Sequence, residues 1–179
     1  MFEKQFSEPI CVIYFNPKII SEWITKRQRK YPIFNNAYMM TGTHHLYNYL
    51  PTKHEKWLTM IKQEIIDSGL IIDILNAKTM EAVFRLLQGC SFLGSFLAYQ
   101  YTIDMNYSPY INFSENDFVK AGIGAIRGIK KCFLCYGNKC EDAIWYVKEH
   151  FNDLLKRYGY TSFHPLLGHE PTLIILQNC

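Results

Sequence analysis

Three carboxylates stand near one another in the middle of the chain, Asp104, Glu115 and Asp117, with glycine-bearing turns on either side. A carboxylate held beside a sugar C1′ can stabilise an oxocarbenium-like state or activate a nucleophile, so the grouping fits chemistry at a glycosidic bond. Asp117 is the first candidate, Glu115 the second, and Asp104, on a predicted helix, the third. The plain alternative for Asp117 is a helix N-cap, a place that short acids favour. Upstream, Gly89 and Gly94 bracket a tight turn, and Gly94-Ser95 opens a helix. Downstream, Gly122, Gly124 and Gly128 punctuate AGIGAIRG, with Lys130 and Lys131 directly after. Glycine turns that open helices leave backbone N–H groups bare for an anion. Gly94, Ser95, Gly122, Gly124, Arg127, Lys130 and Lys131 therefore form the candidate phosphate-binding set. No Ser or Thr follows the lysines and no strand precedes the cluster, which excludes a P-loop.

A base worked on at C1′ must first leave the stack for a pocket of aromatics and amides. Tyr99, Gln100, Asn106 and Tyr107 are placed to line it, with Tyr101 and Tyr110 beside them. Each tyrosine at helical spacing also fits ordinary half-buried packing.

The elements that must hold these residues read as helices. Pro17 suits a first helical turn, and that helix ends in the basic run Lys26, Arg27, Arg29, Lys30. Asn35 and Asn36 are cap candidates for a helix that Gly42 ends. Residues 53–75 carry Trp57, Met60, Ile61, Ile65 and Leu70 at helical period, broken at Ser68-Gly69. A fresh helix starts near Thr79, with Met80, Val83, Phe84 and Leu87 on one face. Another spans residues 96–105. Pro109 marks a loop over residues 107–114, and residues 116–120 form a turn or short helix. Helix resumes from Gly124 to about Phe133. A long amphipathic helix is expected over residues 141–157, closed by Gly159. Residues 173–176 read as a strand or a last helical turn. The short apolar run over residues 10–15 is the remaining element. There is no βαβ rhythm, so the expected fold is mainly α in a single domain over residues 1–179.

Hydrophobic residues make up 49% of the 179 residues, enough for a core. A net charge of +3 permits nucleic acid as a partner without requiring it. No stretch approaches about 18 apolar residues, so no membrane partner is expected. The N-terminus lacks a secretory pattern, and six cysteines in a chain with this much core fit a reducing, cytoplasmic setting. Cys132, Cys135 and Cys140 are a weak candidate metal set that needs Cys179, His150 or His164 as fourth ligand; unligated thiols are the simpler reading, with no metal and no cofactor. His44, His45 and His54 show no metal spacing.

The order helix, tight glycine turn, helix is the layout of a helix–hairpin–helix, whose turn presents N–H groups to a DNA phosphate. Asp117 follows it after one helix and a proline-bearing loop, and this spacing resembles that of the catalytic aspartate in helix–hairpin–helix DNA glycosylases. The motifs FLGSFLAYQ, DMNYSP, NDFVKAGIGAIRGIKKCF and LLGHEPTLIILQN, with PIFNNAYMMTGT matching more weakly, resemble a family associated with hypermodified thymine. Its members are described as alpha-glutamyl/putrescinyl thymine pyrophosphorylase-like or as the helical domain of 5-hydroxymethyluracil DNA kinases. The family is considered a distant relative of the helix–hairpin–helix glycosylases. The resemblance implies a glycosylase-like helical domain with DNA as partner. It places Gln100, Asp104, Asn106, Asp117, Gly122, Gly124, Arg127 and Gly128 at family positions, and Gln177 and Asn178 at a C-terminal amide pair. The chain departs from the pattern at Ile123, where a proline is usual, and is shorter at both ends. Three functions follow: glycosylase-like action on a modified pyrimidine in DNA; transfer that replaces a pyrophosphorylated hydroxymethyl group with an amine or amino acid; or DNA binding or protein interaction without catalysis.

Overall fold

The structure, a computed structural model, describes residues 15–34, 40–160, 162–164 and 168–178. Among them there are helices and irregular segments and no strand. Helix α1 (Pro17–Gln28) begins as its sequence dictates: Pro17 is at the first position, and Asn16 Oδ1 accepts from the N–H groups of Lys18 and Ile19. Helix α2 (Lys53–Met60) opens with a capping box in which Thr52 and Glu55 satisfy each other's backbone N–H groups. It runs into a π-helical stretch, Ile61–Asp67, a departure from the simple helical period expected there. Gly69, at φ 83°, makes the turn into α3 (Leu70–Asn76). Then come α4 (Met80–Gln88), α5 (Ser95–Asn106), α6 (Ile123–Cys132), α7 (Cys140–Glu149), α8 (Phe151–Arg157) and α9 (Leu173–Asn178).

The expected helix over residues 141–157 is thus two helices. His150, at φ −108° and ψ 17°, leaves helical geometry, and its ring stacks on Tyr146 at 4.3 Å. Residues 115–117 form a turn, not a helix, and residues 173–178 form a helix, not a strand. Gly42 lies in an irregular segment. Asn35, Asn36 and all of the run over residues 10–15 but Phe15 fall outside the described residues. No described helix is long and apolar enough to cross a membrane.

Packing divides the chain into two compact units. The first takes residues 1–77 and 86–94. Its buried residues include Tyr47, Trp57, Met60, Ile74, Leu87 and Phe92, and the Trp57 indole stacks on the Phe92 ring at 5.2 Å. Trp57 also donates to the Thr41 carbonyl at 2.8 Å, so its polar edge is satisfied. The π-helical stretch carries Glu64 inward, where the carboxylate accepts from the Tyr47 hydroxyl and the Ser91 N–H, both at 2.6 Å. Burial pulls the Glu64 carboxyl upward, but those hydrogen bonds outweigh it and hold it below its ordinary value. His54, buried beside Thr25, has its pKa lowered by burial.

The second unit takes residues 78–85 and 95–179. Its core draws Met80, Val83 and Phe84 from α4, Leu97, Ala98, Tyr99 and Ile103 from α5, and Leu173 and Ile174 from α9. The Phe84, Tyr99 and Phe118 rings pack against one another at centroid distances of 5.2–6.4 Å. Between α6 and α7, Gly137 sits at φ 82°, and a Cβ there would stand 2.6 Å from Asp142 Oδ2. That close approach lets Asp142 accept from the N–H groups of Asn138 and Lys139, which fastens the connecting loop to the start of α7.

Candidate functional site

All the candidate acids lie in the second unit, and two of them do structural work at helix starts. Asp117 Oδ2 accepts from the N–H of Met80, the first residue of α4, at 2.9 Å. The neighbouring Asn116 Oδ1 accepts from the N–H of Leu173, the first residue of α9, at 3.1 Å. Glu115 Oε2 accepts from the Thr172 hydroxyl at 2.6 Å, and Thr172 in turn caps Ile175. Asn116 and Asp117 thereby satisfy orphan N–H groups at the starts of two helices, and Glu115 holds the hydroxyl that caps α9. Glu115 also accepts from the Tyr107 hydroxyl at 3.0 Å, and burial together with that bond raises the Tyr107 pKa. Asp117 remains exposed, as does Asp104 on α5. None of the three lines the cavity described below.

Asn106, at the end of α5, is 4% exposed and uses both ends of its amide on one residue. It donates to the Phe113 carbonyl at 3.0 Å and accepts from the Phe113 N–H at 2.7 Å. The amide pins the proline-bearing loop, leaving Tyr107 and Tyr110 exposed. Gln100 is half-buried on α5, and Asn178 donates to the carbonyl of Ile174 within α9 and is exposed.

Other candidates do come together. Ser95, Phe96 and Tyr99 from α5, Lys120 to Ile123 and Ile126 around the start of α6, and Gln177 from α9 line a cavity of about 310 Å³, a size at the lower end of the range for small-ligand sites. Gly122 precedes the first residue of α6, and no side chain caps that helix. A Cβ on Gly122 would stand 3.3 Å from Gln177 Nε2 and 3.6 Å from the Phe96 ring, so glycine there lets the wall close. Tyr99 is 2% exposed, and burial pushes its hydroxyl up to about 12. Gln177 is 6% exposed, and its Oε1 is buried with no hydrogen-bond partner. Lys120 at the rim pairs with Glu141 at 2.6 Å, and Glu141 also accepts from the Ala121 N–H at 3.0 Å. Burial raises the Glu141 carboxyl, yet these bonds outweigh it and hold it below its ordinary value. Lys120, Phe96 and Glu141 escaped the sequence reading. The KAGIG context alone put a lysine beside the glycine turn, and that was the available signal.

Outside this cavity, α6 presents one continuous strip of Lys130, Ile123, Arg127, Lys131, Gly124 and Gly128, all exposed. A Cβ at Gly124 or Gly128 would meet nothing within 4 Å, so the backbone there is bare. Gly94, before Ser95, likewise stands in open space. Cys132 and Cys135 are exposed and Cys140 is half-buried, all three as free thiols. Among the described residues no group of three His, Cys, Asp or Glu side chains is placed to hold a metal.

The described residues thus make an all-helical protein whose second unit carries a glycine-opened cavity and a cationic helix. Over residues 1–179 the chain matches the family described as 5-hmdU DNA kinase, helical domain, and it belongs to that family. The description ties the family to DNA modification in a general sense. No curated protein and no solved structure matches the chain.

Proposed function

We propose that the chain is a DNA-binding domain that serves the modification of a pyrimidine base in DNA. The observation that carries the reading is the exposed strip of α6. Arg127, Lys130 and Lys131 take part in no ion pair among the described residues, and they flank the bare backbone of Gly124 and Gly128. Unpaired cations beside accessible backbone suit a phosphate chain, which needs charge and close approach but no base reading. Membership of a family named for a DNA kinase supports DNA as the partner.

Excision at C1′, the glycosylase-like reading, is the second. Asp117 is exposed on this same unit, and Met80 engages one of its carboxylate oxygens, which leaves the other for a bound substrate. Transfer chemistry is its variant, differing in product. Fluorescence anisotropy on duplexes with thymine or 5-hydroxymethyluracil, followed by mass analysis of the DNA, separates the readings. Binding that weakens when Arg127, Lys130 and Lys131 are replaced supports the domain reading. Abasic sites that vanish in Asp117→Asn establish excision, a base of altered mass establishes transfer, and absence of any DNA binding refutes all of them.

A further inference from the structure

The cavity of the second unit has an unusual polar inventory. Among the described residues, Lys120 is the one charged residue that lines it, and no carboxylate does. Two helices of adequate length begin on it, α5 of 12 residues and α6 of 10. The first N–H groups of a helix lack intrahelical partners and lie at the positive end of its dipole. Glycine precedes both, at Gly94 and Gly122, so no cap side chain comes from that position to occupy those groups. A lone helix start is a common feature. Two starts on one cavity give positive potential where the surrounding wall is aromatic and apolar, with Lys120 beside them and its charge partly offset by Glu141.

Gln177 supplies the independent sign of a ligand. The side chain is buried against Gly122, lines the cavity, and keeps a carbonyl oxygen with no partner. Buried polar groups are nearly always satisfied, so an unpartnered oxygen on a residue of the cavity wall points to a group from outside. The amide can donate through Nε2 and accept through Oε1. A ligand that completes it offers acceptors and a donor together, and the helix starts and Lys120 require the acceptors to carry negative charge.

We propose that this cavity is a phosphate site, taking a phosphomonoester or inorganic phosphate. Such a group brings several acceptor oxygens and an ionisable O–H, whereas the diester of an internal DNA linkage has no O–H to give Gln177. Lys120 has three donors and spends one on Glu141, which holds its chain at the rim with N–H groups to spare. The inference deepens the DNA-binding reading, and rests on it only for the source of the phosphate, either a DNA terminus or a free nucleotide.

The test uses the full chain and inorganic phosphate as the probe. Amide NMR titration with sodium phosphate, against sodium chloride at equal ionic strength, should move the backbone signals at the starts of α5 and α6 and the Gln177 side-chain amide. Lys120→Met should weaken phosphate by about tenfold, as loss of one charge-assisted bond does. Gly122→Ala should abolish binding by driving a methyl against Gln177, and Gln177→Glu, which places a negative charge in the wall, provides a second variant if the alanine protein does not fold. Thymidine 5′-monophosphate competing where thymidine does not identifies a nucleotide source; a 5′-phosphorylated oligonucleotide outcompeting its 5′-hydroxyl twin identifies a DNA end. Shifts confined to Arg127, Lys130 and Lys131, or none at all, overturn the proposal. DNA anisotropy on the same samples keeps the two readings apart, since phosphate binding with no DNA binding sinks only the function proposed above, and the reverse sinks only this site.

Discussion

Asp117 caps α4 from a position 37 residues away: its Oδ2 lies 2.9 Å from the N–H of Met80. A carboxylate at a helix N-terminus satisfies an orphan donor and meets the positive end of the dipole. Replacing Asp117 with alanine should therefore lower the unfolding free energy by about 1 kcal/mol. Asp117→Asn, which keeps an acceptor oxygen, should lose less. Urea unfolding followed by far-UV circular dichroism gives both values. Equal losses would mean that the charge, not the hydrogen bond, carries the effect.

The loop after α5 hangs on one amide. Asn106→Ala strips partners from both the N–H and the carbonyl of Phe113. Each buried group left unpaired costs about 1–3 kcal/mol, less wherever water reaches it. Hydrogen exchange should accelerate across residues 107–113 before the helices are touched. Uniform acceleration over the whole second unit would instead mark Asn106 as part of the global core.

On α6, stability and binding should move in opposite directions. Gly124 and Gly128 are helical and have open space where a Cβ would go. Alanine at either should stabilise the protein by roughly 0.5–1 kcal/mol. If DNA lies against this backbone, the same change should weaken binding. Replacing Arg127, Lys130 or Lys131 with alanine should each reduce the log–log salt slope of DNA affinity by about 1. Anisotropy at several salt concentrations reads the slope, and an unchanged slope for all three would remove α6 from the interface.

Acid should loosen the first unit through Glu64 and the second through Glu141. Glu64 and Glu141 have pKa values lowered from 4.5. A lowered folded value means that the unfolded chain binds the proton first. The stabilisation is therefore present above pH 4.5 and lost as pH falls through the lowered values. At the alkaline end the sign reverses. Burial pushes Cys90 up to about 11 from 9.0 and Tyr99 up to about 12 from 10.0, so unfolding is favoured as pH rises beyond 9.0. Urea midpoints measured across pH should form a plateau with both shoulders. Lys120→Met should flatten the acid shoulder, because it removes a bond that holds Glu141 low.

The helices were readable where local signals agree. Pro17 after Asn16, Thr79 before Met80 and Gly94 before Ser95 each mark a helix start within a few residues, and each start is where it was expected. The break at His150 was not readable, since the apolar period continues through it and only packing ends the helix there. The site was half legible. The glycine turn at Gly122 and the amide Gln177 were both candidates, but their proximity depends on α9 packing against α6 and α7, which no local pattern encodes. Asp117 was legible as an acid in a suggestive place. Its partner Met80 was not, because a cap supplied from a distant turn leaves no spacing rule in the sequence.

The turn at residues 115–117 also sets an order of events during synthesis. Asn116 and Glu115 are made 57 residues before Leu173 and Thr172, the groups they hold. Until the ribosome has released α9, that turn has the start of α4 and the Tyr107 hydroxyl to grip, and Gln177 has not reached the cavity wall. The second unit therefore stays unfinished while most of it has already emerged, and its closing contacts are non-local ones of the kind that slow folding. Helix α9 acts as a latch on this unit, and a nascent chain stalled just before it should remain open to protease at the start of α6.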